Sequence, residues 1–288
     1  MLAASVRALL KLLPDSLAFR LVALLASVSP PPSLKARDKT ALAAARELRW
    51  GVAGRKRAWC WGEGPPVLLI HGWGGRATQM APLAQHLASM GFAAWAIDVH
   101  AHGQSAGLRI GFHRFIADIA EFCAQLPRPP QALIGHSAGG MSMMAARELR
   151  GLRAARYVCI NAPRFPYPPL RQLHKLVAPR ASVLARCRDY YAAQFQSDWQ
   201  CLADGQIYRP LDDAQLLLIN DRDDDQVAAA DGELIAARWP GAQTHRTQGQ
   251  GHQQVLWSQE VMNAVSWFLS EDAADDQAAN PRRTAAAP

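Results

Sequence analysis

From residue 57 onward, short apolar runs alternate with segments of helical periodicity, and this alternation limits the folds open to the chain. Residues 58–61, 67–70, 92–97, 131–135, 157–160, 215–219 and 242–247 read as strands. Between and after them, residues 78–90, 112–126, 138–149, 228–238 and 255–269 read as helices. Strands that are apolar on both faces need cover on both faces, and helical crossovers supply it when neighbouring strands run parallel. The expected class is therefore α/β, a mostly parallel sheet with helices on both sides.

Residues 164–212 interrupt the rhythm with Pro166, Pro168, Pro169, Pro179 and a run of basic residues. They read as a helical cap inserted over one end of the sheet. The first fifty residues read as a helical arm, broken near Pro14 and stopped by Pro30, Pro31 and Pro32. The body then covers 51–271, and 272–288 reads as a disordered tail, acidic at first and then rich in Ala, Pro and Arg.

With 288 residues, half of them hydrophobic, the chain can bury a large core, which excludes a disordered or fibrous protein. The net charge is +7. The arm carries eight Lys/Arg against three Asp/Glu, and the cap seven against four. No recognition motif or aromatic-interleaved basic patch accompanies that charge, so nucleic acid is not the expected partner. A basic cap would instead favour anionic substrates. The longest uncharged run near the N-terminus, residues 21–34, is too short and too rich in proline to span a bilayer. A signal peptide would need an unusually long charged leader, so the expected location is the cytoplasm. The apolar face of the arm is expected to pack on the body; peripheral membrane contact through it is the second reading. Five cysteines, no two closer than 14 positions, show neither metal-ligand nor redox-motif spacing and read as reduced thiols.

The chemistry concentrates where strands end, the place where open parallel sheets gather ligands. Gly135-His136-Ser137-Ala138-Gly139 lies between a strand and a helix, the context a G-x-S-x-G turn requires. Small flanking residues let strand and helix approach, and the hydroxyl stands at a helix N-terminus that favours developing negative charge. A serine hydroxyl needs a base. His252, after Gly251 and before the last helix, is the expected partner. The base needs an acid, and the segment after the 215–219 strand offers Asp221, Asp223, Asp224 and Asp225. Asp98-Val99-His100-Ala101-His102 holds an H-x-H pair, but no further ligands are spaced to complete a metal site, so no metal is expected.

Together with His71-Gly72-Trp73-Gly74-Gly75, Asp98 and His102-Gly103-Gln104-Ser105, these segments resemble the α/β-hydrolase fold superfamily, and in particular its single-domain serine esterases. The resemblance covers roughly residues 57–270. It implies a Ser137, Asp224, His252 triad, because Asp224 and Val227 fall on the Asp and Val of the H-G-x-x-D-x-x-V pattern, while Asn220 and Asp221 replace its His-Gly. It also implies an oxyanion hole from the backbone N–H groups of Trp73 and Ala138. His71 is expected to brace the loop and His136 to be packed. His100, Phe165 and Tyr167, with Leu170 and Tyr190, are expected to wall the substrate pocket. The implied activity is hydrolysis of carboxylic esters through an acyl-enzyme, with no cofactor, and the short cap favours small or medium esters over long triglycerides. The alternatives are a thioesterase or other acyltransferase and, from another class, a non-catalytic binding protein on the same scaffold.

Overall fold

The computed structural model describes residues 2–28 and 33–279. In chain order its elements are α1 (Leu2–Leu12), α2 (Asp15–Ser27), α3 (Ala36–Ala43), β1 (Arg46–Trp50), β2 (Lys56–Trp61), β3 (Pro66–Ile70), α4 (Ala81–Ser89), β4 (Ala93–Asp98), α5 (Phe112–Cys123), β5 (Ala132–His136) and α6 (Ala138–Leu149). There follow β6 (Arg156–Ile160), α7 (Pro168–Val177), α8 (Ala181–Gln194), α9 (Trp199–Ala203), β7 (Gln215–Asp221), α10 (Ala230–Arg238), β8 (Gln243–Thr247), α11 (Gly251–Gln254) and α12 (Gln259–Ala279). The strands form one sheet in the order β1-β2-β4-β3-β5-β6-β7-β8. β1 and β2 run antiparallel, as do β2 and β4, and every later pair is parallel.

Alternation along each strand feeds two cores. Leu68, Ile70 and Leu133 join Phe112, Phe115, Met141 and Met144 on one face. Val67, Leu69 and Ile134 join Leu83, Leu87, Val265 and Phe268 on the other. The α/β architecture is the expected one, a mostly parallel sheet under helices on both faces.

Most boundaries fall within three residues of the sequence reading, and three differences matter more. Residues 46–50, placed in the helical arm, form the edge strand β1. Four of its five side chains are exposed and three are charged, so it carries no apolar run; charged edges also discourage pairing with other chains. Only Trp50 is buried, with Phe122 edge-on at 5.1 Å and the Lys56 ammonium 4.4 Å above its ring. The last helix starts at Gln259 rather than at 255, because Ser258 is extended and separates it from the short helical turns before it. The residues read as a tail from 272 begin inside α12, whose backbone is helical to Ala279; residues 280–288 lie outside the described residues.

The arm packs chiefly on the cap. Ala18 and Val22 of α2 are fully buried, and Phe19 meets Tyr190 of α8 edge-on at 5.9 Å. Arg7 donates to the carbonyls of Lys175 and Leu176 at the end of α7, and Arg180 pairs with Asp15 at 2.8 Å. No helix among the described residues is long and apolar enough to cross a membrane. All five cysteines are free, four of them buried.

The tightest packing lies where α6 leaves β5. A Cβ on Gly135 would stand 2.4 Å from the Gly140 Cα, and one on Gly139 would stand 2.4 Å from the His71 carbonyl oxygen. Both contacts are with backbone, which cannot move aside. A Gly135→Ala variant is therefore expected to lose about 1–3 kcal/mol of stability in urea unfolding. An unchanged midpoint and slope would show that this turn tolerates a side chain.

Candidate active site

The turn between β5 and α6 presents Ser137 at the N-cap of α6 with φ 51° and ψ −122°. A non-glycine residue in that region stores backbone strain of about 1–3 kcal/mol. The surroundings hold it there. Its N–H donates to the Ile160 carbonyl of β6 at 2.9 Å, its carbonyl accepts from Met141, and the three glycines at 135, 139 and 140 let strand and helix interlock.

His252 stands 3.1 Å from Ser137 Oγ through Nε2 and 2.7 Å from Asp224 Oδ2 through Nδ1. The side chains of His252 and Asp224 are 5% and 2% exposed, so water does not compete for the contact. Asp224 Oδ1 accepts from the N–H groups of Gln226 and Val227, which fixes the plane of the carboxylate. The structure thus brings together Ser137, Asp224 and His252.

The neighbouring aspartates have other partners. Asp221 accepts from the Thr247 hydroxyl and from the N–H groups of Asp223, Gln250 and Gly251. Burial raises its proton affinity, but these four donors outweigh that and hold the carboxyl below its ordinary range. Asp223 accepts from the Gly249 N–H, and Asp225 is exposed. Asp221 and Asp223 therefore shape the turn that carries His252.

A residue the sequence reading passed over joins these segments. Asn161, at the end of β6, is 1% exposed and has φ 45°. Its side chain accepts from the Asp221 N–H and donates to the Gly251 carbonyl, tying β6, β7 and the histidine turn together. A lone Asn after a strand carries no periodic signal, so only the fold reveals it.

The loop after β3 crosses directly over Ser137. A Cβ on Gly72 would lie 3.1 Å from the Ser137 Cβ, which leaves room for backbone and little else. Among the described residues, the backbone N–H groups of Trp73 and Ala138 donate to no other protein group. Two histidines brace the loop. His71 bonds the Gly72 carbonyl through Nδ1 and accepts from the Val99 N–H. His102 accepts from the Gly74 N–H through Nε2 and bonds the His100 carbonyl through Nδ1. Asp98 receives the N–H groups of Ala77 and Gln104, each at 2.6 Å. Burial pushes its carboxyl up to about 6 and the His102 imidazole down to about 4. His136, also buried and pushed down to about 3, bonds the His252 carbonyl through Nε2 at 2.8 Å.

The cavity at Ser137 is about 60 Å³, lined by Trp73, Phe112, Met141, Pro163, Pro168 and His252 among others. His100, Phe165 and Tyr167, expected in its wall, do not line it. The His100 N–H is bonded to Asp118, and its side chain borders a groove between α2 and α5. Phe165 packs on Tyr167 and Trp199, while the Tyr167 hydroxyl accepts from the Ala228 N–H; the pair braces the cap against the chain that follows Asp224. Leu170 is in the core and Tyr190 faces the arm. Phe112 and Met141 take the lining role because α5 and α6 both begin at this end of the sheet. The Trp73 ring lies 4.8 Å from Phe112 and 6.4 Å from Tyr191, so α8 of the cap touches the loop above Ser137.

The pH dependence of this brace is testable. The folded-state value of His102 lies below the unfolded one, so its contribution to stability is present above pH 6.5 and is lost as pH falls towards 4. Thermal melts of His102→Gln are expected to show a shallower acid loss over that window, by up to about 3 kcal/mol. Parallel profiles would remove His102 from the acid response.

Known proteins similar to this chain include hydrolases and esterases. Residues 65–205 match the family model described as serine aminopeptidase, S33. Over 108 residues the chain is 35% identical to a pimeloyl-[acyl-carrier protein] methyl ester esterase of Chromobacterium violaceum, a match covering 36% of this chain. The chain spans only 40% of that relative's length in the match. Among solved structures it is similar to an esterase of Rhodococcus sp. ECU1013, with a TM-score of 0.57 and 19% identity over 79% of this chain and 98% of that one. It is also similar to the thioesterase domain from the curacin biosynthetic pathway, with a TM-score of 0.59 and 18% identity over 78% and 99% of the two chains. With its sheet order, its serine-bearing turn after β5 and these structural likenesses, the chain has the α/β-hydrolase fold.

Proposed function

We propose that the protein hydrolyses carboxylic esters through an acyl-enzyme formed on Ser137. The observation that carries this reading is the unbroken, buried chain of contacts from Asp224 through His252 to a strained serine at a helix N-terminus. Ser137 Oγ attacks the ester carbonyl as His252 Nε2 takes its proton. Asp224 keeps the Nδ1 proton in place and stabilises the imidazolium. The tetrahedral oxyanion accepts from the free N–H groups of Trp73 and Ala138. His252 then protonates the departing alkoxide, and the alcohol leaves. A water molecule, deprotonated by the same histidine, attacks the acyl-serine; the acid departs and Ser137 recovers its proton.

Charge bears on the choice of substrate. An aminopeptidase holds a cationic amino terminus, for which a nearby carboxylate is the natural partner. Among the described residues that line the Ser137 cavity there is no Asp or Glu. This favours neutral or anionic esters over peptides with a free amino terminus.

A fluorophosphonate probe is expected to label the wild type at Ser137 and to leave Ser137→Ala unlabelled; a folded protein that is neither labelled nor active on p-nitrophenyl esters would overturn the reading. Asp224→Asn is expected to lower kcat by about 10³–10⁴, because the histidine loses its orienting acceptor. The exposed Asp225→Asn should stay within about threefold of wild type. Equal losses in the two variants would remove Asp224 from its role. Parallel assays with acyl-CoA separate a thioesterase from an oxygen-ester hydrolase.

A further inference from the structure

Beside the Ser137 cavity lies a second, much larger cleft of about 430 Å³, bounded by α3, the loop after β3 and the segment around Trp257. Gln79 and Gln253 line both spaces and are bonded to each other at 3.1 Å, so this pair is the partition between them. Gln253 follows His252 directly in the chain, which sets the cleft next to the proposed base.

The cleft is cationic. Lys35, Arg37 and Arg76 line it, against Asp38 alone. Asp38 accepts from the Lys35 N–H through Oδ2, and the Arg37 guanidinium lies 4.4 Å above the Trp257 ring. Arg76 is the unusual member. It is only 6% exposed, and its enclosed Nε and Nη1 find no acceptor among the described residues. The buried acid whose field it feels, Asp98, already engages both oxygens with the Ala77 and Gln104 N–H groups. Buried guanidinium groups normally meet a carboxylate or phosphate in fork geometry, because an unmade charged hydrogen bond in a dry site is costly. Here two guanidinium nitrogens have none, in a residue that borders a cleft wide enough for a ligand.

We propose that this cleft is a subsite for the anionic end of the ester, with Arg76 as its anchor and Lys35 and Arg37 at its rim. The ligand chemistry is an oxyanion, a carboxylate or a phosphate, carried by the part of the substrate that does not react. The Ser137 cavity has room for only a few heavy atoms, so the remainder of a longer ester lies past Gln79 and Gln253, in the cleft. This assignment rests on the ester-hydrolase reading for its catalytic consequence, but not for the binding itself.

The test compares mono-p-nitrophenyl esters of straight-chain dicarboxylic acids with p-nitrophenyl esters of uncharged acids of equal length. At one chain length the wild type is expected to favour the charged ester at least tenfold in kcat/KM, mostly through KM. Arg76→Gln should abolish that ratio and Arg76→Lys should keep part of it. Lys35→Gln/Arg37→Gln, at exposed positions where folding is not at risk, should lower it severalfold. Equal turnover of both series by the wild type at every length, or a ratio unchanged in all these variants, would overturn the subsite. Glutarate and inorganic phosphate, as inhibitors and in thermal melts, report binding without turnover and show which oxyanion is preferred. A rise in Tm for the wild type that Arg76→Gln lacks supports the subsite even if no ester is cleaved, an outcome that defeats only the ester reading. Absence of any shift with either anion in the wild type, alongside active ester turnover, defeats the subsite alone.

Discussion

Everything at the site depends on the close contact between β5 and α6. Ser137 occupies a backbone conformation that a residue with a side chain adopts only when its surroundings enforce it. Enforcement comes from backbone meeting backbone: Gly135 against Gly140, Gly139 against the carbonyl of His71, and the Ser137 N–H on Ile160. These contacts tie three neighbouring parallel strands, β3, β5 and β6, to one helix N-terminus. The serine is therefore positioned by contacts with the centre of the sheet.

The other two members arrive on longer, less regular segments, and a second set of contacts compensates. Asn161 and Asp221 form a small polar hub at the ends of β6 and β7. Between them they bond Gly251, Gln250 and Thr247, and the Asn161 side chain accepts from the Asp221 N–H. The hub sets the height of the turn bearing His252, while Asp224 sets the tilt of its ring. His136, next to the serine, bonds the His252 carbonyl from the opposite side. Positioning is thus shared between His136, kept uncharged by burial, and Asp221, whose donors favour its charged form.

Legibility in the sequence followed the physical origin of each signal. Strands β2 to β7 show as apolar runs because burial on both faces confines polar residues largely to their ends. β1 escaped because Arg46, Glu47 and Arg49 belong to an exposed edge. The serine turn and the histidine turn are legible from their glycines, which permit the close approaches at 135, 139 and 140 and the positive φ at 249 and 251. Among four aspartates, spacing alone left the acid open, and the contact of Asp224 with His252 distinguishes it geometrically. The pocket walls were the weakest reading. Phe165 and Tyr167 are aromatic and lie in the cap, but their rings pack on each other and on Trp199, while Phe112 and Met141, unremarkable in sequence, line the cavity.

By itself the sequence determined strands β2 to β8, the crossover helices and the chain positions of Ser137 and His252, because these follow from local periodicity and from glycine's steric freedom. Only the tertiary structure decided which aspartate meets the histidine, which side chains wall the cavity, that Asn161 joins three segments, and that Arg76 faces a cleft without a partner. The physical reason is common to all four. Each is a relation between residues far apart in the chain, where side-chain direction and the absence of water matter, and neither property is carried by residue type or spacing.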